Sequence, residues 1–154
     1  MRRSATIPRQ RKMRYVLGMD DRHTTPPDLD TIEQIARRAL ETVPRRLRSR
    51  VAGVVFRVVE FPDEATCRAM ELASPFDILG LYHGVPFGEK SVGYAPQDVD
   101  MIYLYRRPLL DYWCESGEDL EHLIRHVLIH EIGHHFGLSD RDMERIEAET
   151  DAEA

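Results

Sequence analysis

Cysteine is scarce in this chain: only Cys67 and Cys114 occur, far apart and in no Cys-x-x-Cys pair. That excludes a disulfide framework and a thiolate-built zinc ribbon, and both residues read as buried thiols in a reducing cytoplasm. Long apolar runs are missing as well. No stretch approaches the roughly twenty apolar residues that a membrane-spanning helix needs. No secretory leader is expected, because Arg2 and Arg3 are followed from Ser4 to Arg14 by no apolar segment. No internal repeat is visible. Positive charge is outnumbered, 21 Lys and Arg against 27 Asp and Glu, and the net charge of −6 argues against bulk affinity for nucleic acid.

What is present reads as an ordinary globular chain. The 154 residues are 42% hydrophobic and 31% charged, enough for one domain with a single core. Residues 1–14 carry Arg2, Arg3, Arg9, Arg11, Lys12 and Arg14 and are read as a basic disordered tail. Residues 15–149 form the expected domain, and 150–154 an acidic tail. Tyr15 to Gly18 reads as a short strand or a linker.

Local patterns set the elements. Thr24-Thr25-Pro26-Pro27 breaks the chain, and Asp28 then caps a helix whose apolar positions Leu29, Ile32, Ile35, Ala36, Ala39, Leu40 and Val43 recur at helical spacing up to Pro44. The β-branched run from Val51 to Phe61 is nearly continuous in apolar residues, which predicts a central strand covered on both faces. Asp63 caps a short helix through about Leu72. The stretch from Ser74 to Gly88 reads either as a hairpin arm or as an edge strand to which an extended peptide could add. Met101 to Tyr105 is a strand expected to pair with Val54–Val59 or with residues 78–82. Pro108 opens a helix through Trp113. Ser116 with Asp119 reads as a capping box for a long helix from about Glu118 to His135. A last helix runs from about Asp140 to Glu149.

The long helix carries the chemistry. His122, His126, His130 and His134 fall at successive i+4 positions and form one stripe. Only the His130/His134 pair has a Glu directly after its first member, Glu131, and a Gly-x-x-Asp, Gly137 to Asp140, after its second. Two His one turn apart can point both imidazoles at one ion, and the adjacent Glu can reach a water on it. Gly137 permits the positive φ that ends a helix. The turn then brings Asp140 back as a third, oxygen ligand. Ser139 with Asp142 supplies the cap of the next helix, so Asp140 is not needed for that. His135 points off the ligand face and reads as a supporting or core-facing group, with ligation in place of Asp140 as the alternative. Three protein ligands and one open position describe a catalytic zinc site, one Zn²⁺ per chain, although iron, cobalt or manganese would bind the same groups. Glu131 is the expected general base. Tyr82, His83, Tyr103 and Tyr112 are candidates for stabilising an oxyanion.

From Phe61 to Glu147 the chain resembles the minimal metallopeptidase family of small bacterial zincins. The likeness rests on HEIGHHFGLSD, PFDILGLYHGVP, YRRPLLD and the RHVLIH lead-in. The resemblance implies an α+β fold: a compact zincin-like single domain, with a small mixed sheet, an active-site helix and flanking helices. It also implies zinc on His130, His134 and Asp140, Glu131 as base, and a peptide or protein as substrate. The pattern is similar to that of metzincins too, but those carry His where Asp140 stands and a Met turn far downstream, whereas Met143 follows closely. A gluzincin arrangement would make Glu144 or Glu147 the third ligand. Two other readings are an RNA endonuclease with a metal, for which the basic residues 2–14 speak, and a non-catalytic binding module that keeps its metal for stability.

Overall fold

The computed structural model describes residues 25–84 and 100–153. The expectations for residues 1–14, for Tyr15 to Gly18 and for the part of the Ser74–Gly88 stretch after Gly84 lie outside these residues.

Helix α1 (Leu29–Thr42) begins where Asp28 accepts a hydrogen bond from the Thr31 amide at 2.8 Å. It buries Ile32, Ile35, Ala36 and Ala39 and ends at Val43, which the following proline holds extended at ψ 138. A short helix α2 (Arg45–Arg48) and a 3-10 turn (Ser49–Val51) lead into strand β1 (Val55–Val59). Asp63 caps α3 (Glu64–Ala69) through the Thr66 amide. Strands β2 (Gly80–His83) and β3 (Met101–Tyr105) follow, then helices α4 (Arg106–Ser116), α5 (Leu120–Phe136) and α6 (Asp140–Glu153).

The three strands form one mixed sheet in the order β1-β3-β2. β3 runs parallel to β1, with Val55 opposite Met101, and antiparallel to β2, with Tyr82 opposite Ile102. This corrects the place expected for the Val51–Phe61 run. It forms a strand of five residues at the edge of the sheet, with Val55 46% exposed, and the centre belongs to Met101–Tyr105. The apolar residues at the start of the run are buried for another reason. Val51 and Val54 sit in and just after the 3-10 turn and pack into the helical core, not into a sheet.

Helices cover the sheet face that carries Ile102 and Leu104. α5 enters both halves of the core. Leu120, Leu123, Ile124 and Val127 meet α1 and Leu104, while Leu128, Ile129 and Ile132 meet Ala39, Ile102 and Ile146. Each fully buried Leu or Ile contributes about 1.5–3 kcal/mol. The helix that carries the histidines is therefore held by packing more than by its own propensity.

Capping differs from expectation at one point. α4 continues to Ser116 and is stopped by Gly117 at φ 68, so Ser116 is spent inside it. The cap of α5 is Asp119 alone, which accepts from the His122 amide at 2.9 Å. At the other end, α6 extends past Glu149 to Glu153, into the segment expected as a tail. Cys67 is half-buried and Cys114 is exposed, so the expectation of two buried thiols fails for Cys114, which lies on the outer side of α4. No helix among the described residues is long and apolar enough to cross a membrane.

Candidate metal centre

α5 ends in a pair of backbone bonds that set the geometry beyond it. Gly137 stands at φ 65, its amide bonds His134 O at 3.1 Å, and the Leu138 amide bonds Gly133 O at 2.9 Å. That paired closure needs a left-handed residue at its corner, which glycine supplies at little cost. The chain then reverses. Ser139 and Asp142 exchange hydrogen bonds at the start of α6, hydroxyl to carboxylate at 2.7 Å, amide to carboxylate and amide to hydroxyl both at 3.3 Å. The Ser139 hydroxyl and amide hold the Asp142 carboxyl below its ordinary range. The capping box expected from the sequence is present, and Asp140 is left out of it.

His130 and His134 lie one turn apart on α5 with ring centroids 5.1 Å apart, edge to face. Between them in sequence, Glu131 is buried, with its side chain 8% exposed. Its Oε2 accepts from the Tyr82 amide at 2.6 Å and lies 3.4 Å from His134 Nδ1. The structure thus brings together His130, Glu131 and His134. Asp140 opens α6 just beyond, exposed, and its carboxylate is not drawn onto the two imidazoles. Among the described residues, no three His, Cys, Asp or Glu side chains converge as a metal-holding group. The donor chemistry nevertheless suits zinc: two imidazoles on one helix face and a carboxylate across the turn are its ordinary nitrogen and oxygen ligands.

The other histidines are engaged elsewhere. His122 Nδ1 meets Arg125 at 3.2 Å. His126 Nδ1 pairs with Glu147 Oε1 at 2.9 Å, and its ring stacks on His130 at 6.1 Å. Glu147, the gluzincin-type alternative ligand, is thus paired with His126, one helical turn before His130. His135 is 2% exposed and faces the sheet, its ring 5.3 Å from that of Tyr82. The core-facing reading of His135 is the one the structure supports.

Of the tyrosines singled out in the sequence, Tyr82 turns its hydroxyl to the buried Asp100 at 3.1 Å. Tyr103 points its hydroxyl toward Met101 Sδ at 3.6 Å, and Tyr112 is 43% exposed on α4. Sequence reading missed the Tyr82 backbone, which meets Glu131 from 49 residues away. The only signal for it was the expected edge strand at this position.

A family model described as zincin-like metallopeptidase matches residues 51–150, well over half of the chain. No curated protein matches it.

Proposed function

The chain belongs to the zincin-like metallopeptidase family, and from that premise we propose that it hydrolyses peptide bonds with zinc held by His130, His134 and Asp140. The observation that carries this reading is the buried Glu131 carboxylate beside two imidazoles on one helix and against the outer edge of β2. Zinc would supply Lewis acidity there, lowering the pKa of its water to about 7 and polarising a carbonyl.

The chain's own groups do the rest. The two imidazoles and the Asp140 carboxylate would hold the ion. Glu131 takes the proton from the attacking water and returns it to the departing amine nitrogen. Burial of Glu131 keeps competing water away from that transfer. Among the described residues β2 is the edge of the sheet on this side. It offers its outward backbone groups to an extended substrate, which adds as a further antiparallel strand. Peptides and unfolded protein segments fit such an edge; duplex nucleic acid does not. With two unpaired thiols, Cys67 and Cys114, the chain is assigned to the cytoplasm.

The test is Glu131→Gln. The variant is expected to keep wild-type zinc content and to lose at least about a hundredfold in peptide cleavage, the scale of losing a general base. Cleavage at the wild-type rate would remove this reading.

A further inference from the structure

We propose that Tyr82 is the positioning residue for Glu131, and that its backbone N–H is a shared donor: Glu131 holds it at rest, and the carbonyl of an extended peptide takes it over. The first half stands on the geometry alone; the second rests on the peptidase reading.

In an antiparallel pair, alternate residues turn their backbone groups toward the partner and away from it. The Tyr105 amide donates to Leu79 O at 3.0 Å, so the 79/105 pair is a bonded one. Counting along the register, Leu81 and His83 also face β3, and Gly80 and Tyr82 face outward. An outward amide on an edge strand ordinarily meets water. That of Tyr82 meets a carboxylate at 2.6 Å, the short distance of a charge-assisted bond. For Glu131 the contact is equally consequential, since a buried carboxyl oxygen needs a hydrogen-bond donor.

Tyr82 is itself held in place. Its hydroxyl bonds Asp100 Oδ1 at 3.1 Å, and its ring edge meets His135. The carbonyl of Asp100 accepts from the Val55 amide at 3.0 Å, which ties the strut to β1. Gly80 brings β2 close against α5, since a methyl there would fall 2.8 Å from Val127 Cγ1. The strand is thus pressed to the histidine helix at one residue and bonded to it two residues on.

An added antiparallel strand would use the same outward amides, its carbonyls accepting from Gly80 and Tyr82. Tyr82 has one N–H. When a peptide carbonyl takes it, Oε2 of Glu131 is released toward the histidine pair. Substrate pairing and freeing of the base become one event.

The test is amide hydrogen exchange, followed by NMR on the zinc-supplemented full chain. The Tyr82 amide is expected to be protected in the wild type and to exchange at least about tenfold faster in Glu131→Ala. The Leu81 amide, bonded within the sheet, is expected to stay unchanged. Equal exchange at Tyr82 in both proteins would overturn the resting contact. Adding a peptide that the wild type cleaves should restore protection at Tyr82 in Glu131→Ala, which binds it without turnover. No restoration at several times KM would overturn the shared donor. If the wild type cleaves no peptide, the peptidase reading and the second half fall together, while exchange still decides the first.

Kinetics separate positioning from mere structure. Tyr82→Pro removes an N–H that the sheet does not use, at an edge position where proline is tolerated. It is expected to lower kcat/KM about tenfold or more, mainly through KM, with zinc affinity within about threefold of the wild type, and Tyr82→Ala, which keeps the N–H, to recover most of kcat/KM. Equal losses in the two variants, or a parallel fall in zinc affinity and melting temperature, would overturn the assignment.

Discussion

Met143 of α6 rests its thioether on the bare backbone of Gly133 in the histidine helix. A Cβ at 133 would fall 2.6 Å from Met143 Cγ and closer still to its sulfur. Met143 is 2% exposed and stands three residues after Asp140. Its seat therefore sets where the start of α6 meets the end of α5. Gly133→Ala gains about 1 kcal/mol of helix propensity. The overpacking costs about 1–3 kcal/mol and outweighs that gain. The variant is expected to melt lower and, by shifting Asp140, to bind zinc more weakly. Adding Met143→Ala should recover part of both losses, the sign of a direct coupling. Calorimetry and a chelator competition read the two effects. An unshifted melting temperature would show that α6 does not depend on this contact.

Removing metal should lower stability through mass action alone. Zinc at a hundred times its Kd adds about 2.7 kcal/mol. For a chain of this size that corresponds to a shift on the order of 5–10 °C on adding a chelator. His130→Ala is expected to lose the shift. His122→Ala is expected to keep it, because His122 is engaged with Arg125 at 3.2 Å and not with the His130/His134 pair. The reverse pattern would move the metal to the other end of the histidine stripe.

The two capping carboxylates away from the site predict an acid limit. Thr31 holds the Asp28 carboxyl below its ordinary value of 3.8 through side-chain and backbone bonds. The Thr66 amide and hydroxyl do the same for Asp63. A depressed pKa in the folded state means that the stabilisation is complete above the unfolded value and is lost as pH falls through the folded one. The loss therefore falls below about pH 4. Asp28→Asn with Asp63→Asn caps nearly as well without titrating. Melting temperatures from pH 6 to pH 3 should decline less steeply in the double variant. An identical decline would assign acid sensitivity to other groups.

At the alkaline end, burial pushes Tyr105 from 10.0 up to about 12. A raised pKa contributes fully below the unfolded value and is lost as pH rises through the folded one. Ultraviolet titration should show a late tyrosine step near pH 12, and Tyr105→Phe should remove it. A titration unchanged by that substitution would contradict the assignment.

Local chemistry was legible in the sequence where a single turn decides it. The caps at Asp28, Asp63 and Ser139–Asp142, the stop at Gly137 and the turn-to-turn spacing of His130 and His134 all follow from residues within four positions of one another. What failed depended on distant partners. The Val51–Phe61 run is as apolar as a central strand, yet sheet order depends on which strand finds neighbours on both sides, and β3 does. Ser116 matched a capping pattern but lost the role, because α4 reached it first from the other direction. Cys114 was expected inside and lies on the exposed side of a helix. The Tyr82–Glu131 bond joins residues 49 apart, and no local pattern announces it.

The central claim is a zinc ion on His130, His134 and Asp140, and the most direct measurement is elemental analysis of the purified chain beside Asp140→Ala. About one zinc per wild-type chain is expected, with affinity lowered on the order of a hundredfold in the variant. A wild-type chain that holds no metal even after zinc is supplied, or a variant that binds it as tightly, would contradict this assignment.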